Sequence, residues 1–88
     1  MLEPVGSVQD PARFPIKTCA VSPSGSFLAF AGEDSHVKVL RLSDMAELAV
    51  GYGHSLTVRT LAWTPDERQI VSGGEDCSIC VWNFFLGG

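Results

Sequence analysis

Three side chains of the sequence are of the types that form a hydrolase triad: Ser72, His54 and Asp76. A nucleophilic serine, a general-base histidine and an orienting aspartate can occur in any chain order, because a triad is defined by its geometry. The residues around Ser72 do not form the Gly-x-Ser-x-Gly turn that exposes a nucleophilic serine in the α/β-hydrolases. Hydrolysis is therefore retained only as an alternative function.

A second candidate chemistry is metal binding or thiol redox chemistry at Cys77 and Cys80. A Cys-x-x-Cys pair supplies half of a zinc site, but the other candidate ligands, Cys19, His36 and His54, are scattered along the chain. On a strand, side chains three residues apart point to opposite faces, so the two thiols would converge poorly. We expect no metal and no cofactor, and Cys80 is interpreted as a small core residue. A metal or thiol-redox module remains an alternative beside the hydrolase.

The elements that position these residues repeat along the chain at a spacing of 42 residues. Turn and strand residues of one segment recur in the next, and a repeat of this length indicates two copies of one structural unit. The recurring residues are Thr18, Ala20, Pro23, Gly32, Glu33, Asp34 and Val39, which return as Thr60, Ala62, Pro65, Gly74, Glu75, Asp76 and Val81.

Each copy consists of short β-type runs separated by turn residues, without a helical period. Proline, glycine and aspartate mark the turns at residues 64–67 and 74–77. The first copy also predicts a fourth, outer strand near residues 47–50, and residues 5–8 stand one period earlier, as the outer strand of a preceding unit. The other predicted strands cover residues 16–21, 27–31 and 37–41 in the first copy, and 58–63, 69–73 and 78–82 in the second.

The motifs of the second copy are Gly53-His54, Thr64-Pro65-Asp66, the run from Val71 to Asp76, and Val81-Trp82-Asn83. In this order they resemble a WD repeat, one blade of a β-propeller. The resemblance implies an all-β fold with two four-stranded antiparallel blades, of which the second lacks its own outer strand. The predicted organisation is an N-terminal segment at 1–15, a degenerate blade at 16–52, a well-formed blade at 53–83 and a tail at 84–88.

The resemblance also implies a structural role for His54, Ser72, Asp76 and Trp82, as one hydrogen-bonded network inside the second blade. Imidazole has one donor and one acceptor nitrogen, so it can bridge a carboxylate and a hydroxyl. The first copy has Pro11-Ala12, Phe30 and Leu40 at the positions of Gly53-His54, Ser72 and Trp82. We therefore predict that apolar packing alone holds the first blade and that Asp34 serves only its turn.

Two groups of residues are candidates for binding a partner. Lys17 and Arg59 share one periodic position, and Glu33 and Glu75 share another, so they either pair as solvated ions or line the protein-binding face that the resemblance implies. Large apolar residues near the end of the sequence either pack into the last blade or dock on a partner. These are Phe84 and Phe85, followed by Leu86.

Composition limits the class of partner. The net charge is -4 with 18% charged residues, so the chain lacks the basic excess that nucleic acid or anionic lipid would attract, and no apolar run is long enough for a bilayer span. Three cysteines do not suit a disulfide framework, which favours a reducing, intracellular compartment.

These observations predict a non-catalytic protein-interaction scaffold. Two blades leave apolar faces uncovered, so the chain is expected to be a piece of a larger propeller, placed near its C-terminal end, with the remaining blades supplied in cis or in trans. The run Gly51-Tyr52-Gly53-His54-Ser55 and the Val81-Trp82-Asn83 ending also resemble ciliary WD-repeat proteins. That resemblance implies tubulin or axonemal proteins as partners, and a cytoplasmic, cytoskeletal or ciliary location.

Overall fold

The computed structural model describes residues 15–84, which fold into seven β-strands. Four strands form one antiparallel sheet in the order β1-β2-β3-β4, and three form a second in the order β5-β6-β7. This confirms the predicted all-β class and its two blades. The strands are β1 Ile16–Val21, β2 Phe27–Gly32, β3 His36–Arg41, β4 Ala46–Tyr52, β5 Val58–Trp63, β6 Gln69–Gly74 and β7 Ile79–Asn83. The strand expected at residues 5–8 lies outside the described residues.

The outer strand β4 is longer than the sequence indicated: it pairs with β3 from Arg41 to His36, with a register shift between Val39 and Leu40. Within residues 15–84, no helix is long and apolar enough to cross a membrane.

The turns repeat their backbone geometry even where the residue type changes. Ser35 and Cys77 both have a positive φ, 67° and 65°, and Gly25 and Glu67 have 79° and 60°. In each β2–β3-type turn an aspartate side chain accepts a hydrogen bond from the backbone two residues later: Asp34 from His36, and Asp76 from Ser78, both at 3.2 Å. The two aspartates therefore shape the same turn in both sheets.

A glycine ends the second strand of each sheet because neighbouring atoms come very close, backbone atoms at Gly32 and mainly side-chain atoms at Gly74. A Cβ added to Gly32 would lie 2.0 Å from the carbonyl oxygen of Pro15, and one added to Gly74 would lie 2.8 Å from Nδ1 of His54. Any side chain at Gly32 would therefore displace the start of β1, and any side chain at Gly74 would displace the histidine.

The core lies between the two sheets. The first sheet contributes Ala29, Ala31, Val37 and Val39, which meet Val58, Leu61, Ile70 and Phe84 of the second. Two hydrogen bonds tie the sheets at the margin of this core: the Trp63 indole donates to the carbonyl of Ala20 at 2.9 Å, and the backbone N–H of Ser24 donates to the Glu67 carboxylate at 3.1 Å. This junction fixes how one sheet stacks on the next.

Candidate functional site

Four predicted side chains do come together in the second sheet. The Ser72 hydroxyl lies 2.7 Å from Nε2 of His54 and accepts a hydrogen bond from the Trp82 indole at 2.7 Å. The other ring nitrogen of His54, Nδ1, lies 3.3 Å from both carboxylate oxygens of Asp76. Strands β6 and β7 carry Ser72 and Trp82, the β6–β7 turn carries Asp76, and the loop before β5 carries His54.

One protonation pattern satisfies every donor in this network. The indole N–H of Trp82 donates to Ser72, the Ser72 hydroxyl donates to Nε2 of His54, and Nδ1–H donates to the Asp76 carboxylate. The last acceptor in this series is therefore an ionised carboxylate, and hydrogen bonds to a charged acceptor are stronger than those between neutral groups. This order of donors places a ring proton of His54 on Nδ1 and leaves Nε2 as the acceptor.

Ser78 is a member of the network that the sequence analysis did not identify. Its hydroxyl donates to Asp76 at 2.6 Å and lies 3.1 Å from Nδ1 of His54. The first copy has His36 at the equivalent position, so the 42-residue comparison gave no matching hydroxyl to draw attention to it. The backbone and hydroxyl of Ser55 also donate to Asp76, at 2.9 and 3.4 Å.

These donors shift the titration of the aspartate. Hydrogen bonds from the Ser78 hydroxyl and the Ser55 backbone, with a smaller contribution from His54, hold the pKa of Asp76 well below its ordinary value of 3.8. Because the ionised form carries these bonds, the carboxylate is a fixed structural anion at neutral pH.

Acid should therefore weaken the second sheet. A group whose folded pKa is depressed binds its proton more readily in the unfolded chain, so its contribution to stability is present above pH 4 or so and is lost as the pH falls further. We expect the free energy of unfolding to fall over this range and Asp76→Asn to reduce the slope. Part of the slope should remain, since the pKa values of Asp66 and Glu67 are also lowered. Urea unfolding at a series of pH values measures this, and an unchanged slope in Asp76→Asn would refute it.

The order of atoms is that of a catalytic triad, but the serine cannot reach a substrate. Ser72 is 0% exposed, and its oxygen is already hydrogen-bonded to the Trp82 indole and to Nε2 of His54. His54 is buried as well. The arrangement can hold strands together, and it offers no route by which a carbonyl carbon could approach the hydroxyl.

Two glycines make room for the indole of Trp82. A Cβ on Gly51 would lie 2.6 Å from the ring, and a Cβ on Gly53 would also lie 2.6 Å from it. Gly51 is in β4 of the first sheet, so the ring bridges the two sheets while its N–H serves the network. This gives the Gly51-Tyr52-Gly53 run a structural role.

The cysteines do not form a metal centre in the described part of the chain. Cys77 is exposed in its turn, whereas the half-buried Cys80 directs its thiol toward the carbonyl of Gly53 at 3.8 Å. No group of three or more His, Cys, Asp or Glu side chains in residues 15–84 is placed to hold a metal ion. Cys80 is half-buried and lies outside the core cluster, so its interpretation as a core residue is wrong.

The first sheet is not held by apolar packing alone, in contrast to the prediction from the sequence. Asp34 does not serve its turn alone: the Lys38 ammonium lies 2.7 Å from its Oδ2, and both side chains are buried. Apolar packing alone therefore does not hold this blade. Lys38 stands at the position of Cys80, on the face of β3 opposite to Val37 and Val39. Its ammonium is nearer to Oδ2 of Asp34 than is Nδ1 of His36, which lies 3.9 Å away. An acid and a base four residues apart across a turn were the signal that could have revealed the pair.

The candidate partner-binding residues fall into two groups. Lys17 pairs with Glu33 at 3.6 Å and Arg59 with Glu75 at 2.7 Å, so the ion-pair interpretation holds, and all four side chains remain substantially exposed. Phe84 is buried against Phe27 and Trp63, so its assignment as a partner-binding residue is wrong: its ring is already covered by the core. Phe85 lies outside the described residues.

Comparison with known proteins places the chain in a family. Residues 3–40 and 46–83 match the family described as WD domain, G-beta repeat, and the second match begins at β4 and ends at the last residue of β7. The chain belongs to the WD-repeat family. The outer strand of the first sheet is thus the first strand of the second sequence repeat, so the second WD repeat contributes strands to both sheets.

Several curated WD-repeat and related proteins are similar to the chain. It is 33% identical to apoptotic protease-activating factor 1 of Mus musculus over 82% of its length, and 38% identical to WD repeat-containing protein 1 of the same organism over 81%. A WD repeat-containing protein WDS homolog of Arabidopsis thaliana is 33% identical over 81%. The chain spans 6%, 12% and 14% of these three proteins. WD repeats of this family generally serve as non-catalytic modules that bind other proteins.

Members of one network should lose stability non-additively when they are removed. His54→Ala should cost about 1 to 3 kcal/mol, because it leaves the buried Ser72 hydroxyl without its acceptor. Asp76→Ala should also lower the free energy of unfolding, because it removes the carboxylate from Nδ1 of His54. The double variant should cost less than the sum, since the second change removes a bond that the first has already broken. Urea unfolding of the four chains tests this, with Asp44→Ala as a control on the exposed Arg41 pair. Strictly additive losses would show that the network does not act as one unit.

Proposed function

We propose that this WD-repeat chain is part of a larger propeller that binds other proteins and has no catalytic activity of its own. The observation that supports this most directly is the burial of Ser72 and His54 inside the sheet. These are the two side chains that could act as nucleophile and general base, and both are held in the internal hydrogen-bond network. Four charged side chains, one tyrosine and one leucine at the same end of the sheets remain exposed. We call these residues the loop surface: Lys17, Glu33, Tyr52, Leu56, Arg59 and Glu75.

The loop surface has one location in the fold. β1 and β5 begin there and β4 ends there, since Ile16 pairs with Gly32 and His36 pairs with Tyr52 across neighbouring strands. The buried network lies directly beneath it, because Asp76 holds the backbone of Ser55 in the loop that carries Leu56. The network thus presents an ordered loop to a partner.

The chemistry of the loop surface fits a folded protein or an extended peptide. Tyr52 is 71% exposed and packs edge-on against His36, so its ring is positioned without being covered. Tyrosine and arginine are enriched in protein interfaces. Exposed ion pairs contribute at most about 1 kcal/mol, so the Arg59–Glu75 pair can exchange partners at little cost.

Capture from a cell extract, followed by chemical crosslinking and mass spectrometry, tests this assignment. Crosslinks to the bound protein should map to the loop surface, and Arg59→Glu should abolish capture. Arg68→Glu makes the same charge change at the opposite end of the sheets, next to the β5–β6 turn, and should leave capture intact. Equal capture by both variants would overturn the assignment of the loop surface.

A finer proposal concerns the cellular setting. We propose a cytoplasmic or cytoskeletal location, including the axoneme of the cilium, with tubulin or axonemal proteins as partners. Its support is the resemblance of the Gly51-Tyr52-Gly53-His54-Ser55 run and of the Val81-Trp82-Asn83 ending to ciliary WD-repeat proteins. Since Gly51, Gly53 and His54 have internal roles, Tyr52 is the residue of this run best placed to contact a partner.

Co-sedimentation with assembled microtubules separates this finer proposal from the general one. The chain should pellet with microtubules and Tyr52→Ala should reduce the bound fraction, while imaging of a tagged chain should show it in cilia. A chain that captures partners through Arg59 but neither pellets with microtubules nor enters cilia would reject the ciliary role and leave the interaction role standing.

A further inference from the structure

Two cavities in the described part of the chain lie at the end of the sheets opposite to the loop surface. The larger, of about 660 Å³, is bounded by the β5–β6 turn, Gln69, Asn83 and Phe84. The smaller, of about 540 Å³, is bounded by the β1–β2 turn, Arg41 and the two residues after it. Phe27 lines both cavities, so they adjoin, and we call them together the turn groove. Each has the volume of a site for a small ligand or for a few residues of a peptide.

The two cavities occupy equivalent positions one period apart, but their polar groups differ. Gln69 and Asn83 face each other across β6 and β7, whereas their counterparts in the first sheet are Phe27 and Arg41. In the larger cavity Nε2 of Gln69 donates to Oδ1 of Asn83 at 3.1 Å. Among residues 15–84, Oε1 of Gln69 and Nδ2 of Asn83 have no further partner. The larger cavity therefore presents a free acceptor beside a free donor.

An acceptor beside a donor matches the main-chain amide of an extended peptide. Such a peptide carries an N–H and a C=O that both require partners when water is excluded. Asn83 is exposed and Gln69 is half-buried, so both amides can be reached from solvent. Phe27 is half-buried and offers the apolar surface on which one peptide side chain can rest.

The charges of the larger cavity disfavour an acidic side chain there. Hydrogen bonds from Thr64 and from the backbone of Arg68 lower the pKa of Asp66, and hydrogen bonds from Ser24 lower the pKa of Glu67. Both groups are therefore carboxylates at neutral pH. With the single guanidinium of Arg68 beside them, the larger cavity is net negative, and an acid would be repelled from it.

The smaller cavity offers a cation instead. The guanidinium of Arg41 is 46% exposed, and in the described part of the chain it pairs only with Asp44 of its own turn, at 3.0 Å. An exposed pair of this kind contributes at most about 1 kcal/mol. A carboxylate supplied by a partner can therefore replace Asp44 at little cost.

The spacing of the sheets sets the length of peptide that fits. Packed sheets lie about 10 Å apart, a distance that an extended peptide covers with about three residues. Side chains two residues apart on such a peptide point to the same side. An acid at Arg41 is thus followed, two residues along, by a side chain that lies over Phe27, and the next main-chain amide reaches Gln69 and Asn83.

We propose that the turn groove binds an extended peptide segment of a partner protein, with an acidic side chain on Arg41, an apolar side chain on Phe27 and a main-chain amide on Gln69 and Asn83. The acid and the apolar residue are separated by one residue. This binding site is separate from the loop surface and does not depend on the function proposed for that surface.

Two-dimensional NMR of the isotope-labelled chain tests this with two peptides, acetyl-Ser-Asp-Ser-Leu-Ser-amide and acetyl-Ser-Leu-Ser-Asp-Ser-amide, which carry the motif in the two chain directions. For one of them, the side-chain amide signal of Asn83 and the backbone signal of Phe27 should shift and saturate at about 10 mM peptide or below. The signal of Tyr52, in the loop surface, should not move. Replacing the leucine of the peptide with alanine should weaken binding about tenfold, because the contact with Phe27 is lost.

The amide pair is tested by Asn83→Asp. The variant keeps the shape of the side chain and still accepts the hydrogen bond from Gln69. It replaces the donor with a carboxylate oxygen that faces the peptide carbonyl, so binding should weaken at least about tenfold. Unchanged dispersion of the backbone signals shows that the variant is folded.

A double-mutant cycle identifies the acidic contact. Arg41→Gln in the chain and aspartate-to-asparagine in the peptide should each weaken binding up to about fivefold, and the two changes together should weaken it no further. Asp44→Ala frees the guanidinium of Arg41 from its present pair and should tighten binding up to about fivefold. Arg59→Gln makes the matched change in the loop surface and should have no effect.

Three outcomes overturn the proposal. If neither peptide gives saturable shifts at about 10 mM, the turn groove is not a peptide site. If the signals of the loop surface shift instead, the peptide binds at the other end of the sheets. If the losses in the cycle add, Arg41 does not meet the acid. None of these results alters the expected capture of a partner through the loop surface.

Discussion

Replacing Asp34 with alanine is expected to lower the free energy of unfolding by about 3 kcal/mol, toward the low end of the cost of breaking a buried ion pair. The change leaves the Lys38 ammonium without the carboxylate that lies 2.7 Å away. Asp34 is 6% exposed and Lys38 9%, so water reaches the charge only in part. The loss should be at least as large as that of Asp76→Ala, in contrast to the expectation from the sequence that Asp34 serves only its turn.

A second substitution distinguishes an ion-pair effect from a turn effect. Lys38→Met removes the charge and keeps an unbranched chain, so the Asp34→Ala/Lys38→Met double variant should be more stable than Asp34→Ala alone. Loss of the turn hydrogen bond to His36 would be the same in both chains. Urea unfolding at one fixed protein concentration gives the comparison.

The contrary result is equally specific. If Asp34→Ala costs only a few tenths of a kcal/mol, or if Lys38→Met adds to the loss instead of relieving it, the pair does not stabilise the first sheet. The interpretation of this blade as held by apolar packing would then be restored.

The strand pattern could be predicted because it depends on local signals. Pro23 and Pro65 end the first strand of each sheet, and the aspartates Asp34 and Asp76 mark the next turn in both. These features repeat at a fixed spacing, so each copy supported the other. The network of the second sheet was predicted for a different reason: its four residues are types that the family resemblance connects.

The contacts that the sequence did not reveal are those made between non-equivalent positions. Lys38 has a cysteine as its counterpart in the second copy, and Ser78 has a histidine in the first. A comparison of the two copies therefore does not identify either residue as a candidate. Burial of a lysine depends on the surrounding side chains in three dimensions, which period and composition do not encode. The space for Trp82 likewise depends on Gly51 and Gly53, which belong to a neighbouring strand and loop.

Whether the apolar residues near the end of the sequence are buried or exposed also depends on tertiary packing. From the sequence, a phenylalanine after the last strand could either dock on a partner or pack into the blade. In the structure Phe84 is packed into the core. Its backbone N–H donates to the carbonyl of Arg68 at 2.7 Å, which anchors the residue beside the β5–β6 turn. The ring then meets Phe27 of the first sheet and Trp63 of the second, with centroids 5.1 and 5.4 Å away.

Phe84→Ala should therefore destabilise the junction between the sheets, by about 3 to 5 kcal/mol, because it empties a position that three aromatic rings share. Both edge-to-face contacts are lost together, and the Phe27–Trp63 pair, at 6.2 Å, is too far apart to close the gap without a shift of one sheet. Phe84→Leu keeps most of the volume and should cost about 1 kcal/mol. Urea unfolding measures both losses.

Fluorescence provides a check that a general loss of stability would not reproduce. In a Trp82→Phe background the remaining emission comes from Trp63, whose ring packs edge-to-face on Phe84. Phe84→Ala should shift this emission to the red in the folded chain, because water reaches the indole, while Phe84→Leu should leave it nearly unchanged. An unshifted spectrum together with a loss below about 1 kcal/mol would mean that Phe84 does not join the two sheets, since a buried phenylalanine cannot be removed so cheaply.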